Sequence, residues 1–115
     1  MGNAVLNDVW RHAAAWGLTS TELLVLLRLA DSAGEDDRMG WESARTIAKR
    51  IGATERSVFR SLAALEEKGL ISTPPKNDWP REALSYRSIV RKILPVADWP
   101  VAYVESAEEG DISTD

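Results

Sequence analysis

Apolar residues recur along this chain with helical spacing as far as Leu65, and with strand-like spacing after it. In Thr21–Ala33 (TELLVLLRLADSA) they cover nearly the whole circumference, the pattern of a helix enclosed by other elements. Thr19 or Ser20 precedes it as a cap, Glu22 sits in its first turn where the helix dipole favours an anion, and Gly34 is the expected stop. A shorter alanine-rich helix, Asn7–Trp16, comes before it and ends at Gly17. Further on, Ile47, Ala48 and Ile51 share one face of a helix capped by Ser43. Val58, Leu62 and Leu65 form the buried stripe of the next helix, with Thr54 as its N-cap, Glu55 in its first turn, Lys68 near its end and Gly69 in the left-handed cap position.

The period then shortens. Leu70–Thr73 is compatible with a strand and Pro74-Pro75 stops it. Lys76–Leu84 reads as a loop. The β-branched run 85–94 (SYRSIVRKIL) alternates imperfectly and is expected to be a second strand, giving a hairpin with a long charged tip. Met39-Gly40-Trp41 is a candidate for one more very short strand, after the polar loop Glu35–Arg38. The pattern predicts a mainly α fold with a small β component. Its segments are an N-terminal helix in 1–17, a central domain in 18–94, and an acidic extension in 95–115 whose polar end is expected to be disordered. The tripeptide Asp-Trp-Pro occurs at 78–80 and again at 98–100. It is either a repeated anchor in which tryptophan pins a loop, or a chance recurrence, and chance is the expectation because nothing around the two copies is read as matching.

The chain has 115 residues, enough for one core. No apolar run approaches the roughly 20 residues that span a bilayer, and no basic-then-apolar leader opens the chain, so neither a membrane span nor a signal peptide is read. The absence of cysteine excludes disulfides and thiolate metal sites, in keeping with a cytoplasmic location. The net charge of −4 conceals a pattern. Residues 1–37 hold two basic and six acidic residues, 38–92 hold twelve basic and six acidic, and 93–115 hold six acidic and none basic. A basic centre between acidic flanks is informative where the total is not; the alternative is that surface charge merely fluctuates along the chain.

That centre has a geometry. The helix ending near Ile51, the turn at Gly52 and the helix beginning after Thr54 form a helix-turn-helix corner. Ala48 permits close approach, Gly52 takes the positive φ of a sharp turn, and Val58 and Leu62 close on Ile47 and Ile51. With the stripe fixed, the opposite face of the second helix presents Glu55, Arg56, Phe59, Arg60 and Ala63, with Thr54 and Ser57 at its N-terminal edge. Arginine grips guanine O6 and N7, or a phosphate, through two parallel hydrogen bonds; hydroxyls and N-terminal amides suit phosphate oxygens. Phe59 has two readings, a contact to a thymine methyl or sugar, or an extension of the core stripe.

The run TIAKRIGATERSVFRSLAALEEKGLI, with LTSTELLVLLRLAD and MGW before it, resembles the winged helix-turn-helix proteins. It looks most like the short ones found in phages, plasmids and bacterial chromosomes. The resemblance spans about Leu18–Ile93 and is strongest over Thr46–Ile71. It implies a three-helix core, a β-hairpin wing, an extra N-terminal helix here, and binding of double-stranded DNA. By match, Thr54, Arg56, Ser57, Phe59 and Arg60 would contact the major groove. Ser43 and Arg45 would meet the phosphate backbone, and Lys76 and Arg81 would act from the wing. Three departures stand out: Ala53 where the family usually has a larger apolar residue, Glu55 at a helix tip that faces phosphate, and a long wing that carries Asp78 and Glu82 beside its basic residues. A regulator of transcription, a repressor in particular, is the implied role. A homodimer through the Trp10/Trp16 helix and the Val96–Val104 segment, and a protein partner for the acidic flanks, are further expectations. The other class of reading is a winged module used for protein contacts in replication or excision.

No enzyme is read here. His12 is the single histidine and stands alone, no glycine-rich phosphate loop is present, and Glu35-Asp36-Asp37 lacks the spacing of an EF-hand and reads as a solvated turn. Neither cofactor nor metal is expected.

Overall fold

The computed structural model describes residues 4–85 and 88–100. Four α-helices stand there: α1 (Ala4–His12), α2 (Ser20–Ser32), α3 (Ala44–Ile51) and α4 (Glu55–Glu67). Strands β1 (Met39–Gly40), β2 (Ile71–Ser72) and β3 (Arg91–Ile93) make a three-stranded antiparallel sheet in the order β1-β3-β2. This is the mainly helical architecture with a small sheet that the pattern predicts.

Local chemistry sets the helix ends. The Thr19 hydroxyl accepts from the Glu22 amide at 3.1 Å while the Glu22 carboxylate accepts from the Thr19 amide at 3.0 Å, a reciprocal capping box. Gly52 (φ +72°) and Gly69 (φ +81°) end α3 and α4 in the left-handed conformation, as expected. At Gly69 the closure is a Schellman motif. The Gly69 amide donates to the Glu66 carbonyl and the Leu70 amide to the Leu65 carbonyl, and both leucines are buried.

Several boundaries differ from expectation. The first helix is already formed at Ala4, ahead of the expected Asn7, and buries Val5 and Val9, four apart; its end tightens into a 3₁₀ turn, Ala13–Trp16. Helix α2 ends at Ser32, short of Gly34. The Gly34 amide already donates to the Met39 carbonyl, and the Arg38 amide to the Gly34 carbonyl, so 34–39 is a closed turn. Among the described residues the expected strand over 85–94 pairs only at Arg91–Ile93; Tyr86 and Arg87 lie outside the described residues. The loop 76–84 contains 3₁₀ turns at Lys76–Asp78 and Arg81–Ser85. The wing is therefore a two-pair hairpin foot, Ile71↔Ile93 and Ser72↔Lys92, carrying a folded loop rather than a long β-ribbon. Tyr103, Val104 and the acidic end lie outside the described residues.

One core joins all the helices and the sheet: Val5 and Val9 from α1, Val25, Leu26 and Leu29 from α2, Ile47 from α3, Val58, Leu62 and Leu65 from α4, and Ile71 and Ile93 from the sheet. Trp99 packs edge-on against buried Trp16, with ring centroids 6.3 Å apart. That contact brings Trp99, and with it the turn over 95–100, onto the same core.

The repeated tripeptide is no accident of composition. Each copy is the end of the hexapeptide Pro-x-x-Asp-Trp-Pro, at 75–80 and 95–100, and the two fold alike. Pro75 and Pro95 are extended, each followed by a 3₁₀ turn, and the indoles of Trp79 and Trp99 donate to the carbonyls of Pro74 and Leu94 at 2.9 and 2.8 Å. The matching proline, three residues before each aspartate, is the flanking signal that reading the tripeptide alone overlooks.

Candidate nucleic-acid interface

Residues α3, Gly52 to Thr54, and α4 form the predicted corner. Ile47 and Ala48 are buried against Val58 and Leu62, so one face of α4 is committed to the core. The opposite face is open: Glu55, Arg56, Phe59, Arg60 and Ala63 are all exposed. Neither Arg56 nor Arg60 forms an ion pair with a described residue. Both guanidiniums are available to an anion. Phe59 is 53% exposed, which decides between its two readings: it does not extend the core stripe.

The hydroxyls at the helix tips are already engaged. Thr54 Oγ accepts from the Ser57 amide at 3.1 Å and donates to Ser57 Oγ, which in turn donates to the Thr54 carbonyl. Ser43 Oγ accepts from the Thr46 amide at 3.1 Å and donates to Thr46 Oγ1. These three side chains shape the helix starts and have little donor capacity left. What α4 offers an anion at its tip is the pair of amides of Glu55 and Arg56, which no carbonyl within the helix can accept from.

Arg45 is exposed on α3, as is Lys49 one turn later. The second of these was not singled out from sequence. On the wing, the Lys76 ammonium lies 5.8 Å from the centre of the Trp79 ring, a cation–π contact that keeps the charge at the first 3₁₀ turn. Arg81 is exposed at the start of the second.

An ion-pair network braces the corner from behind. Arg28 on α2 makes a two-pronged bond to Glu42, Nε to Oε1 at 2.7 Å and Nη2 to Oε2 at 2.9 Å, and also reaches Asp31. Arg50, at the end of α3, joins the same Glu42 at 3.3 Å. The Glu42 hydrogen bond, with help from the charges of Glu42 and Asp31, outweighs the opposing effect of burial and raises the Arg28 pKa. Arg38, whose backbone is left-handed (φ +59°), donates through Nε to the Ile93 carbonyl at 2.9 Å and through Nη2 to the Leu94 carbonyl at 3.3 Å, and pairs with Asp8. It ties α1, β1 and β3 together. Sequence surroundings do not mark the main partners of either arginine, since Glu42 lies 14 residues from Arg28 and Ile93 lies 55 residues from Arg38.

Glu35 and Asp37 accept from backbone amides, of Ala4 and Met39, as solvated turn residues do. Among the described residues no group of three or more histidine or acidic side chains could hold a metal ion. No helix among them is long and apolar enough to cross a membrane.

Comparison with known proteins agrees with this geometry. The family described as "Helix-turn-helix domain" matches residues 17–71. A stretch of 72 residues is 33% identical to Protein YmfN of Escherichia coli (strain K12), covering 63% of this chain. The chain spans only 16% of the length of that relative. No solved structure matches.

Proposed function

We infer from the match of residues 17–71 to the helix-turn-helix domain family that this protein binds double-stranded DNA sequence-specifically, as a transcriptional regulator of phage, plasmid or bacterial origin. The observation that carries this reading is the open face of α4, where Arg56 and Arg60 are unpaired among the described residues while the opposite face is locked into the core. In this reading α4 lies in the major groove. Arg56 and Arg60 are its base-edge anchors, and the Glu55 and Arg56 amides meet phosphate. Arg45, Lys76 and Arg81 add phosphate contacts, while Thr54, Ser57 and Ser43 act by fixing the helix starts. Glu55 accepts from a cytosine amino group. The role is non-enzymatic and needs neither metal nor cofactor.

A single winged domain offers roughly 600–1,000 Å² to DNA, so a homodimer on a palindromic site fits a repressor. Trp16 is buried beneath Trp99 and is not free for such an interface. Trp10 is 68% exposed and, with Leu6 and Leu27, lines an apolar groove, so the α1–α2 face is the candidate.

The same exposed tryptophan, with the acidic run after residue 93, favours one second reading: an accessory module that holds a protein partner in replication or excision. Selection of bound duplexes from a random pool at two salt concentrations separates the two. One enriched motif supports base readout, and its symmetry reports a dimer. Binding without a motif, lost steeply with salt, leaves phosphate contact alone. No binding at either salt refutes the DNA reading and favours the module.

A further inference from the structure

Beside the open face of α4, at the foot of the wing, lies an open cleft of about 240 Å³ lined by Ser43, Ala44, Phe59, Ser88, Ile89 and Arg91. Its walls are mostly apolar, and two of them face solvent: Phe59 is 53% exposed and Ile89 46%. One cation belongs to it. Arg91, on β3, is half-buried yet forms no ion pair with a described residue. Burial lowers its pKa, and the charge of Glu66 only partly opposes that effect. A withdrawn cation short of compensation gains from an arriving anion. The neighbouring Ser43 hydroxyl is held in the α3 cap.

We propose that this cleft reads a thymine, whose 5-methyl group seats between Phe59 and Ile89 while Arg91 holds an adjacent DNA phosphate. The thymine methyl is the apolar feature of the major-groove edge, so an apolar notch beside a groove-reading helix has one natural occupant. Position supports the same occupant. Arg56, Phe59 and Arg60 are spaced i, i+3 and i+4, so the notch adjoins the two arginines on one helix face. The proposal rests on the DNA reading above and narrows it to a site with at least one essential thymine. It also adds two residues, Ile89 and Arg91, to the interface.

The test uses the full chain and the duplex enriched by selection, with each thymine replaced in turn by deoxyuridine, which removes only the methyl. At one position the wild-type protein should bind the uridine form about fourfold more weakly, the value of one buried methyl. Phe59→Ala and Ile89→Ala should bind both forms equally. Their circular dichroism should match the wild type, since both side chains are half in solvent. Arg91→Met should keep the ratio between the two forms, weaken both alike, and lower the slope of log affinity against log salt by about one. A selected site without thymine, equal binding of every uridine form by the wild type, or a full ratio retained in Phe59→Ala overturns the methyl assignment. An unchanged salt slope in Arg91→Met overturns the phosphate assignment. Failure of the whole pool to bind refutes the DNA reading itself, whereas tight binding indifferent to the methyl refutes only the cleft.

Discussion

Substituting the two left-handed glycines separates the conformational cost of a side chain from its steric cost. Gly52 has φ +72° and open space where a Cβ would stand. Gly52→Ala should therefore cost only the penalty of placing an L-residue in the left-handed region, about 1–2 kcal/mol. Gly69 has φ +81°, and a Cβ there would lie 2.9 Å from Pro100 Cγ and 3.1 Å from Cδ. Unbonded carbons settle at about 3.5–4.0 Å, so Pro100 must move. Trp99 precedes it, and its displacement strains the edge-on contact with Trp16 and the indole bond to the Leu94 carbonyl. Those two interactions contribute about 0.5–1.5 kcal/mol each. Gly69→Ala should thus cost about 1–2 kcal/mol more than Gly52→Ala. In thermal melts each kcal/mol lowers Tm by roughly 4–8 °C for a domain near this size. Pro100→Ala removes the obstructing ring atoms, so in that background the excess should vanish. Equal costs for the two glycine variants, or an excess that survives Pro100→Ala, would refute the seating of Pro100 on Gly69.

Three other outcomes follow from the geometry. Arg60→Ala should weaken binding to the selected site by about 1–3 kcal/mol and relax base preference, while Lys76→Ala should weaken binding to all sequences alike, both read by titration against cognate and scrambled duplexes. Glu42→Gln should destabilise the fold by about 1–3 kcal/mol in urea melts because Arg28, with only 23% of its side chain exposed, loses its main partner; Arg50→Ala, at an exposed end of the same network, should change stability by under about 1 kcal/mol. Leu65→Ala removes a fully buried side chain that also closes the Schellman motif, and should cost about 2–5 kcal/mol by the same measurement.

What sequence reveals here divides by range. The corner was legible because its signals are local. Ser43 and Thr54 cap, Gly52 and Gly69 turn, and Val58, Leu62 and Leu65 repeat at helical spacing within one segment. The exposed face of α4, with Arg56 and Arg60 on it, followed from that stripe by subtraction. The hydroxyls of Thr54 and Ser57 were offered to phosphate because sequence does not reveal that each satisfies the other. The braces escaped notice for a different reason: Arg28 meets Glu42, and Arg38 meets Ile93, only after the chain has folded back. Arg91 was passed over because half-burial of a cation is a property of packing. β-branched residues at 85–94 favour extended backbone and so predict a longer second wing strand, while among the described residues only Arg91–Ile93 find a partner to pair with.

The wing's Pro-x-x-Asp-Trp-Pro turn has a thermodynamic consequence for association. Its bonds close within the turn and its immediate neighbours: the Asp78 amide to the Pro75 carbonyl, the Trp79 amide to the Lys76 carbonyl, and the Trp79 indole to the Pro74 carbonyl. The tip is thus ordered before any partner arrives, although the hairpin beneath it is only two pairs long. A loop that must freeze on binding gives up about 0.5–1.5 kcal/mol for each mobile side chain it immobilises. With Lys76 held 5.8 Å from the centre of the Trp79 ring, much of that entropic loss is incurred in folding, and under the DNA reading proposed above the turn would have little left to organise on binding.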